Sequence, residues 1–317
     1  DHVRAMYAPS RRAPLAATLL ATVLAATACA PSASLLELAP VTPQATGEYH
    51  PGQMVWHDLV TDDIDAAKAF YGGLFGWSFD DIQGDLNVYS VIERDGHPIG
   101  GIVSIDDENV AVASARWLSL LSVEDVDVAI ETLESAGGSL EVGPRDNPTR
   151  GRMALVRDPQ GALLVLIRSA GGDPPNREES TIGNGDWLWT ELWAEDATSA
   201  ADFYVSMVGY SSERPAVGAH DEYRVLHRDG RPRAGVNQIP WDDVQPNWLP
   251  YIRVADPSAV ARRAEELGGI VLVAPDPAIR NGSAGLIMDP TGAAFGIQRW
   301  PAGEAESPGA GGLGGGR

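Results

Sequence analysis

WHDLVTDDIDAAKAFYGGLFGW, residues 56–77, returns 133 residues later as WTELWAEDATSAADFYVSMVGY, residues 189–210, with seven identities in 22 positions. A second stretch, GRMALVRDPQGALLVLIR from Gly151, returns 131 residues later as GSAGLIMDPTGAAFGIQR from Gly282, with seven identities in 18. Two copies at nearly the same offset mean that a whole domain has been duplicated. Between them SAGGDPPNREESTIGNG, residues 169–185, carries the Gly, Pro and charged residues of a linker. The spacing therefore predicts a first domain over 52–168 and a second over 186–300.

Within each copy the apolar period switches from two to nearly four and back, the pattern of a strand, a helix and further strands. Residues 56–60 read as a strand. Asp63 can cap the following helix, in which Ala67, Phe70, Tyr71 and Leu74 make one apolar stripe and Gly76 supplies the left-handed stop. Residues 89–93 and 98–103 form a hairpin about Arg94-Asp95-Gly96. A second unit has its strand at 117–123, a helix lined by Val126, Ala129, Ile130 and Leu133 and ended at Gly137-Gly138, and closing strands at 153–157 and 163–167. The second domain repeats these steps, with helices at 196–208 and 257–267 and a hairpin at 223–227 and 233–236. Such β-α-β-β-β modules, two to a domain, predict an α+β fold: in each domain one open, cupped mixed sheet with helices outside.

The ends of the chain read differently. Arg11 and Arg12 precede an apolar run at 15–26, too short to span a bilayer comfortably, and then comes Ala26-Thr27-Ala28-Cys29. This resembles a bacterial lipoprotein signal, which implies a lipidated Cys29, the chain's single cysteine, and a protein held at the cell envelope outside the cytoplasm. A cleaved secretory signal with an incidental thiol is the alternative. Residues 30–51, rich in Ala, Pro, Ser and Thr, are expected to be a flexible tether, and the Gly-rich 301–317 a disordered tail. The formal charge of −21 disfavours nucleic acid as a partner.

D-x-x-x-A-x-x-F-Y-x-x-x-x-G-W/Y and G-R-M-x-x-x-x-D-P-x-G-A together resemble the vicinal-oxygen-chelate superfamily, which includes glyoxalase I, extradiol dioxygenases and bleomycin-resistance proteins. The resemblance covers roughly residues 52 to 300. It implies a divalent metal on the cupped face, held by residues seven before the aspartate that opens each helix and seven after the Asp of the D-P-x-G turn. Here those places hold Trp56, Leu118, Trp189 and Leu249, then Val165 and Gly296. None of these can ligate, so no metal and no cofactor are expected. His57 stands one residue from such a place, and strand alternation sends it to the opposite face. With His97, His220 and His227 it is read as structural.

If Trp56 faces the cup, Asp58 does too, and Trp189 brings Glu191 and Trp193 with it. Tyr89 and Tyr223 come from matching hairpins, with Tyr251 as another liner. Trp117 and Trp248 are added as ligand-binding candidates, although their facing depends on register. Aromatic walls beside one carboxylate suit planar or cationic organic molecules. The leading expectation is thus an envelope-anchored, metal-free protein that captures a small, partly aromatic ligand between its two cups. Asp58 and Glu191 are the weak catalytic candidates. Arg152 is the nearest partner for Asp58, but Ser283 occupies the matching place, so the second domain is read as a scaffold for the first. The alternatives are a lyase, isomerase or dioxygenase of the superfamily, either metal-dependent or with Asp58 as acid or base, and a non-catalytic interaction protein. The two domains are expected to pack on each other.

Overall fold

The computed structural model describes residues 38–83, 88–104, 114–215, 223–241 and 244–300. Cys29, the run at 15–26, His220 and the tail at 301–317 lie outside them. Among the described residues no helix is long and apolar enough to cross a membrane.

The first domain runs β1 (Met54–Thr61), α1 (Ile64–Phe75), β2 (Ser78–Gln83), β3 (Val88–Arg94), β4 (His97–Ser104), then β5 (Arg116–Ser122), α2 (Val126–Ser135), β6 (Ser139–Asn147), β7 (Gly151–Arg157) and β8 (Leu163–Ser169). The second repeats it with β9 (Trp187–Ala194), α3 (Ala197–Val208), β10 (Ser211–Glu213), β11 (Arg224–Arg228), β12 (Arg231–Gln238), β13 (Asn247–Arg253), α4 (Pro257–Glu266), β14 (Ile270–Val273), β15 (Ala284–Met288) and β16 (Ala294–Gln298). Each domain is one eight-stranded mixed sheet, ordered β2-β3-β4-β1-β5-β8-β7-β6 and, in the same pattern, β10-β11-β12-β9-β13-β16-β15-β14. The two modules of a domain meet where β1 pairs antiparallel with β5, and β9 with β13.

Local sequence sets these elements as expected. Asp63 accepts from Ala66 N and Gly76 ends α1 at φ 71°, while Asp196 and Gly209 do the same for α3. Asp95 and Gly96 both take positive φ, which the tight turn between β3 and β4 requires.

The helices cover one face of each sheet, and those faces are buried against each other. One core cluster joins Phe70 and Tyr71 of α1 to Ala261 and Ala264 of α4 and to Phe295 of β16. Another joins Ile130 and Leu133 of α2 to Ala200 and Tyr204 of α3. At the centre two hydrogen-bond chains cross between the domains. Trp117 Nε1 donates to Tyr71 Oη (2.8 Å), which donates to Asp289 Oδ2 (2.9 Å). Its mirror is Trp248 Nε1 to Tyr204 Oη (2.9 Å) and on to Asp158 Oδ2 (3.0 Å). The tyrosines belong to the repeated F-Y pairs and the aspartates to the repeated D-P-x-G turns, so the motifs that carry the resemblance are the joint between the domains. Trp117 and Trp248 therefore do not line a cup: a one-residue difference in register puts them on the helix side. The cup faces lie on the opposite side of each sheet, and Trp56 of the first domain and Trp189 of the second line one shared cavity with residues 174–180 of the linker.

His57 also faces this interior. Its Nδ1 meets Ser119 Oγ at 3.0 Å, its ring lies 4.6 Å from that of Trp187, and burial lowers its pKa from 6.5 to about 3. The folded state thus holds the ring neutral while the unfolded chain binds a proton below about pH 6.5. Its contribution is fully present above pH 6.5 and is lost as pH falls toward 3. Unfolding free energy should drop by about 2 kcal/mol between pH 7.5 and 5 from this group alone. Urea melts across that range should show a shallower pH slope in His57→Gln; an unchanged slope would contradict the assignment.

Residues 38–50, expected as part of a flexible tether, instead lie against the first domain. Ala39, Val41 and Thr42 are buried. Further along, Thr46 Oγ1 donates to Asp173 O (2.9 Å), and the buried Asp173 carboxylate accepts from His50 N, Ser122 Oγ and Ser169 Oγ. The linker is pinned at its start by the same aspartate.

Candidate functional site

Alternation along β1 and β9 places Trp56 and Asp58, and Trp189, Glu191 and Trp193, on the cup faces, as the sequence predicts. Tyr89 and Tyr223 reach them from β3 and from the residue before β11. What the sequence reading missed is an arginine in each cup: Arg150 just before β7 and Arg280 just before β15. Four residue types thus recur as a unit, Trp–carboxylate–Tyr–Arg.

In the first cup Asp58 Oδ1 accepts from Trp56 Nε1 (2.8 Å) and Tyr89 Oη (2.8 Å), and Asp58 Oδ2 pairs with Arg150 Nη1 (3.3 Å). Arg150 Nη2 donates to Tyr89 Oη (2.6 Å), and its guanidinium sits 4.8 Å from the Trp56 ring centre. In the second cup Glu191 Oε1 accepts from Tyr223 Oη (2.8 Å) and Arg280 Nη2 (2.7 Å), while Trp189 Nε1 donates to Tyr223 Oη (3.2 Å). Burial, followed by the neighbouring carboxylate, raises the Tyr89 and Tyr223 hydroxyl pKa above the ordinary range. Both tyrosines are therefore fixed as neutral donors. Glycine makes room for each pair. A Cβ on Gly101 would lie 2.0 Å from Tyr89 Oη, and one on Gly235 2.2 Å from Tyr223 Oη.

Arg152 points elsewhere. It pairs with Asp127 and Asp146 on the exposed side and is not a partner of Asp58. A left-handed pair at Arg280 and Asn281 shifts the second arginine by one place against Gly282, so a residue-by-residue alignment hides its match to Arg150.

The two cups differ in access. The first is sealed: Arg150 Nε donates to the Ala39 carbonyl, Thr149 Oγ1 donates to Leu38 O (2.5 Å), Ala39 packs with Tyr89 and Val91, and Val41 packs with Trp56, Leu120 and Ile167. Trp56, Tyr89 and Arg150 are 3%, 0% and 0% exposed. Both oxygens of Asp58 are hydrogen-bonded or paired within the cup, and its side chain is 12% exposed. In the second cup Trp189, Trp193, Tyr223, Asn247 and Arg280 are half-buried, while Glu191 and Tyr251 are buried. The Trp193 indole stacks on exposed Trp241 at 5.7 Å and 8°. Tyr251 fills the place of Leu120 and leans over Gly296, where a Cβ would meet its ring at 2.2 Å. The second domain, expected as a scaffold for the first, holds the more exposed of the two cups.

The superfamily's metal does not fit either cup. The cross-strand register puts Leu118 beside Asp58, Leu249 beside Glu191 and Gly296 beside Tyr251, so the implied ligand places are apolar. The carboxylate in each cup is already paired with a guanidinium that would repel a cation. Among the described residues no three His, Cys, Asp or Glu side chains converge on a metal position.

Residues 53–166 match the Glyoxalase/Bleomycin resistance protein/Dioxygenase superfamily, and residues 189–298 match the Glyoxalase-like domain. A Mycobacterium tuberculosis protein named "Putative glyoxylase CFP32" is 31% identical over 255 residues, covering 79% of this chain and 95% of that protein. The anthracycline biosynthesis protein DnrV of Streptomyces peucetius is 30% identical over 263 residues, covering 78% and 94%. Two solved structures share the fold at 15% identity. They are the Mn(II)-bound glyoxalase from Novosphingobium aromaticivorans (TM-score 0.50, 77% of this chain and 80% of that chain) and a mutant 4-hydroxymandelate synthase from Streptomyces coelicolor (TM-score 0.51, 78% and 92%).

Proposed function

We infer function from family and site together: this chain belongs to the glyoxalase/bleomycin resistance protein/dioxygenase superfamily, and the cup of its second domain binds a small, planar, partly aromatic ligand without a metal ion. The observation that carries the reading is the asymmetry between two otherwise matching cups. The same Trp–carboxylate–Tyr–Arg unit is sealed by residues 38–42 in one, while in the other Trp189, Tyr223 and Arg280 are half-buried over a buried Glu191. The second cup is walled by Trp189, Trp193, Tyr223 and Tyr251, which offer flat apolar faces with polar atoms at their edges. The similarity to a relative named for anthracycline biosynthesis points the same way, toward a planar organic ligand. The first domain acts as the closed scaffold on which the second is held. In this reading the protein works at the cell envelope, anchored through Cys29, as the Ala26-Thr27-Ala28-Cys29 stretch suggests.

A thermal-shift screen of planar aromatic compounds on the purified chain tests this. A ligand that binds the native state alone at about 100 times its Kd adds about 2.7 kcal/mol and raises Tm by several degrees. The shift should be the same with EDTA or with added Mn²⁺ or Zn²⁺, and should vanish in Gly235→Val, whose Cβ would collide with Tyr223 Oη and displace it from Glu191. Binding that requires a divalent ion would overturn the reading.

A further inference from the structure

A cavity of about 1050 Å³ lies in the seam between the two domains, large enough for a small organic molecule. Its walls come from matching places of the two repeats. Gly101 pairs with Asp58 on β1 and Gly235 with Glu191 on β9, so Ile99 and Arg233, each two residues earlier, are counterparts. Both line the cavity, as do Trp56 and Trp189. The first domain thus offers an apolar side chain where the second offers a guanidinium. Trp187 joins the apolar wall, its indole held by donation from Nε1 to the Ile99 carbonyl (2.6 Å). Of the residues named for the second cup the cavity takes in Trp189 alone, so the site does not depend on that cup's binding a ligand.

Arg233 is half-buried and forms no ion pair with any described acid. Its Nη1 donates to two neutral amide oxygens, Gln53 Oε1 (3.1 Å) and Asn176 Oδ1 (2.5 Å). Nε is shielded from solvent without a partner, and among the described residues nothing accepts from Nη2. Burial first, with the Arg231 and Arg228 charges, lowers its pKa against the pull of Tyr210 and Asp229. The charge is therefore under-compensated, and an anion would relieve it. The other cations of the lining are already spent: Arg177 pairs with Asp186 (2.9 Å) and Arg231 with Glu178 (3.0 Å). Glu179, the remaining acid of the lining, accepts from Trp300, and burial raises its pKa. The fold itself does not call for an arginine here, since Ile99 fills the same place in the first domain.

We propose that the seam cavity binds a small aromatic carboxylate, its carboxylate accepting from Arg233 Nη2 and its ring lying against Trp187, Trp189 and Ile99. A carboxylate supplies the counter-charge that the Gln53 and Asn176 amides do not, through a charge-assisted hydrogen bond. Those amides hold the guanidinium in place before the ligand arrives, so little side-chain freedom is lost on binding. Gln53 belongs to the first domain, Asn176 to the linker and Arg233 to the second domain, so the site exists only where all three meet.

Isothermal titration of the full chain with 2-naphthoate and its uncharged isostere 2-naphthamide tests the proposal. The acid should bind one site per chain at least about 10-fold more tightly than the amide, as a hydrogen bond between charged partners predicts. In Arg233→Met that preference should fall to about 1. Ile99→Glu, which puts an acid on the first domain's wall, should weaken naphthoate at least about 10-fold and change the amide by less than about threefold. Thermal melts report whether each variant folds. The two substitutions lie in different domains, so either one that folds decides, and the ligand pair on the wild-type chain decides if neither does. Equal affinity of acid and amide for the wild-type chain, no binding of naphthoate, or a preference that survives Arg233→Met would overturn the assignment. A naphthoate site indifferent to Ile99→Glu would overturn its placement in the seam.

Discussion

Replacing Arg150 with methionine should lower the free energy of unfolding by about 3–5 kcal/mol, the usual cost of removing one partner from a buried ion pair. Arg150 is fully buried, and its guanidinium holds together Asp58, Tyr89 and the Ala39 carbonyl. Without it the Asp58 carboxylate keeps only the Trp56 and Tyr89 donors in a largely buried cup. Urea unfolding would measure the loss. Adding Asp58→Leu to Arg150→Met should recover most of it, because an apolar pair of similar volume replaces the stranded charge. The single variant should also release residues 38–42, read as new protease cleavage there under native conditions. A loss below about 1 kcal/mol would mean that the pair is not the keystone of the sealed cup.

Trp248→Ala should cost a similar amount, about 3–5 kcal/mol, through the cavity left by a wholly buried indole. It also removes the donor to Tyr204 Oη, whose hydroxyl goes on to Asp158 across the domain boundary. Trp248 projects from the face of β13 opposite Leu249 and Tyr251, so the folded fraction should bind ligand with an affinity within about threefold of wild type. This separates the two readings of the residue. As a cup liner it would lose affinity and little stability; as part of the joint it loses stability and little affinity. Denaturant melts and titration at a temperature where the variant stays folded give both numbers.

Most of the fold was legible because repeats and periods report burial. Asp63, Gly76 and the Arg94-Asp95-Gly96 turn behave as their chemistry dictates, and the α1 stripe faces the core. The strands that the sequence left undrawn are β2, β6, β10 and β14, which are the outermost strands of the two sheets. An edge strand buries neither face fully and carries no clean alternation; β6 adds register shifts and Pro144. The cup residues on β1 and β9 were legible because alternation fixes them once Trp56 and Trp189 are placed. Arg150 and Arg280 were not, since they sit in loops whose geometry no period encodes, and one is displaced by positive-φ residues. The only available signal was an arginine one or two residues before Gly151 and Gly282. Trp117 and Trp248 were misplaced because a bulky aromatic one residue out of register suits either face of a strand. The burial of Ala39 and Val41 could not be foreseen from a short segment of small residues with no period.

The paired Tyr–Asp contacts across the joint have a consequence for the history of the chain. A half-length ancestor with one F-Y pair and one D-P-x-G turn could make both contacts with a second copy of itself about a two-fold axis, and its cups would have been forced to stay alike. Joining the copies end to end kept that handshake while freeing each half to mutate alone. One half could then be stoppered by residues 38–42, while the other diverged on its own.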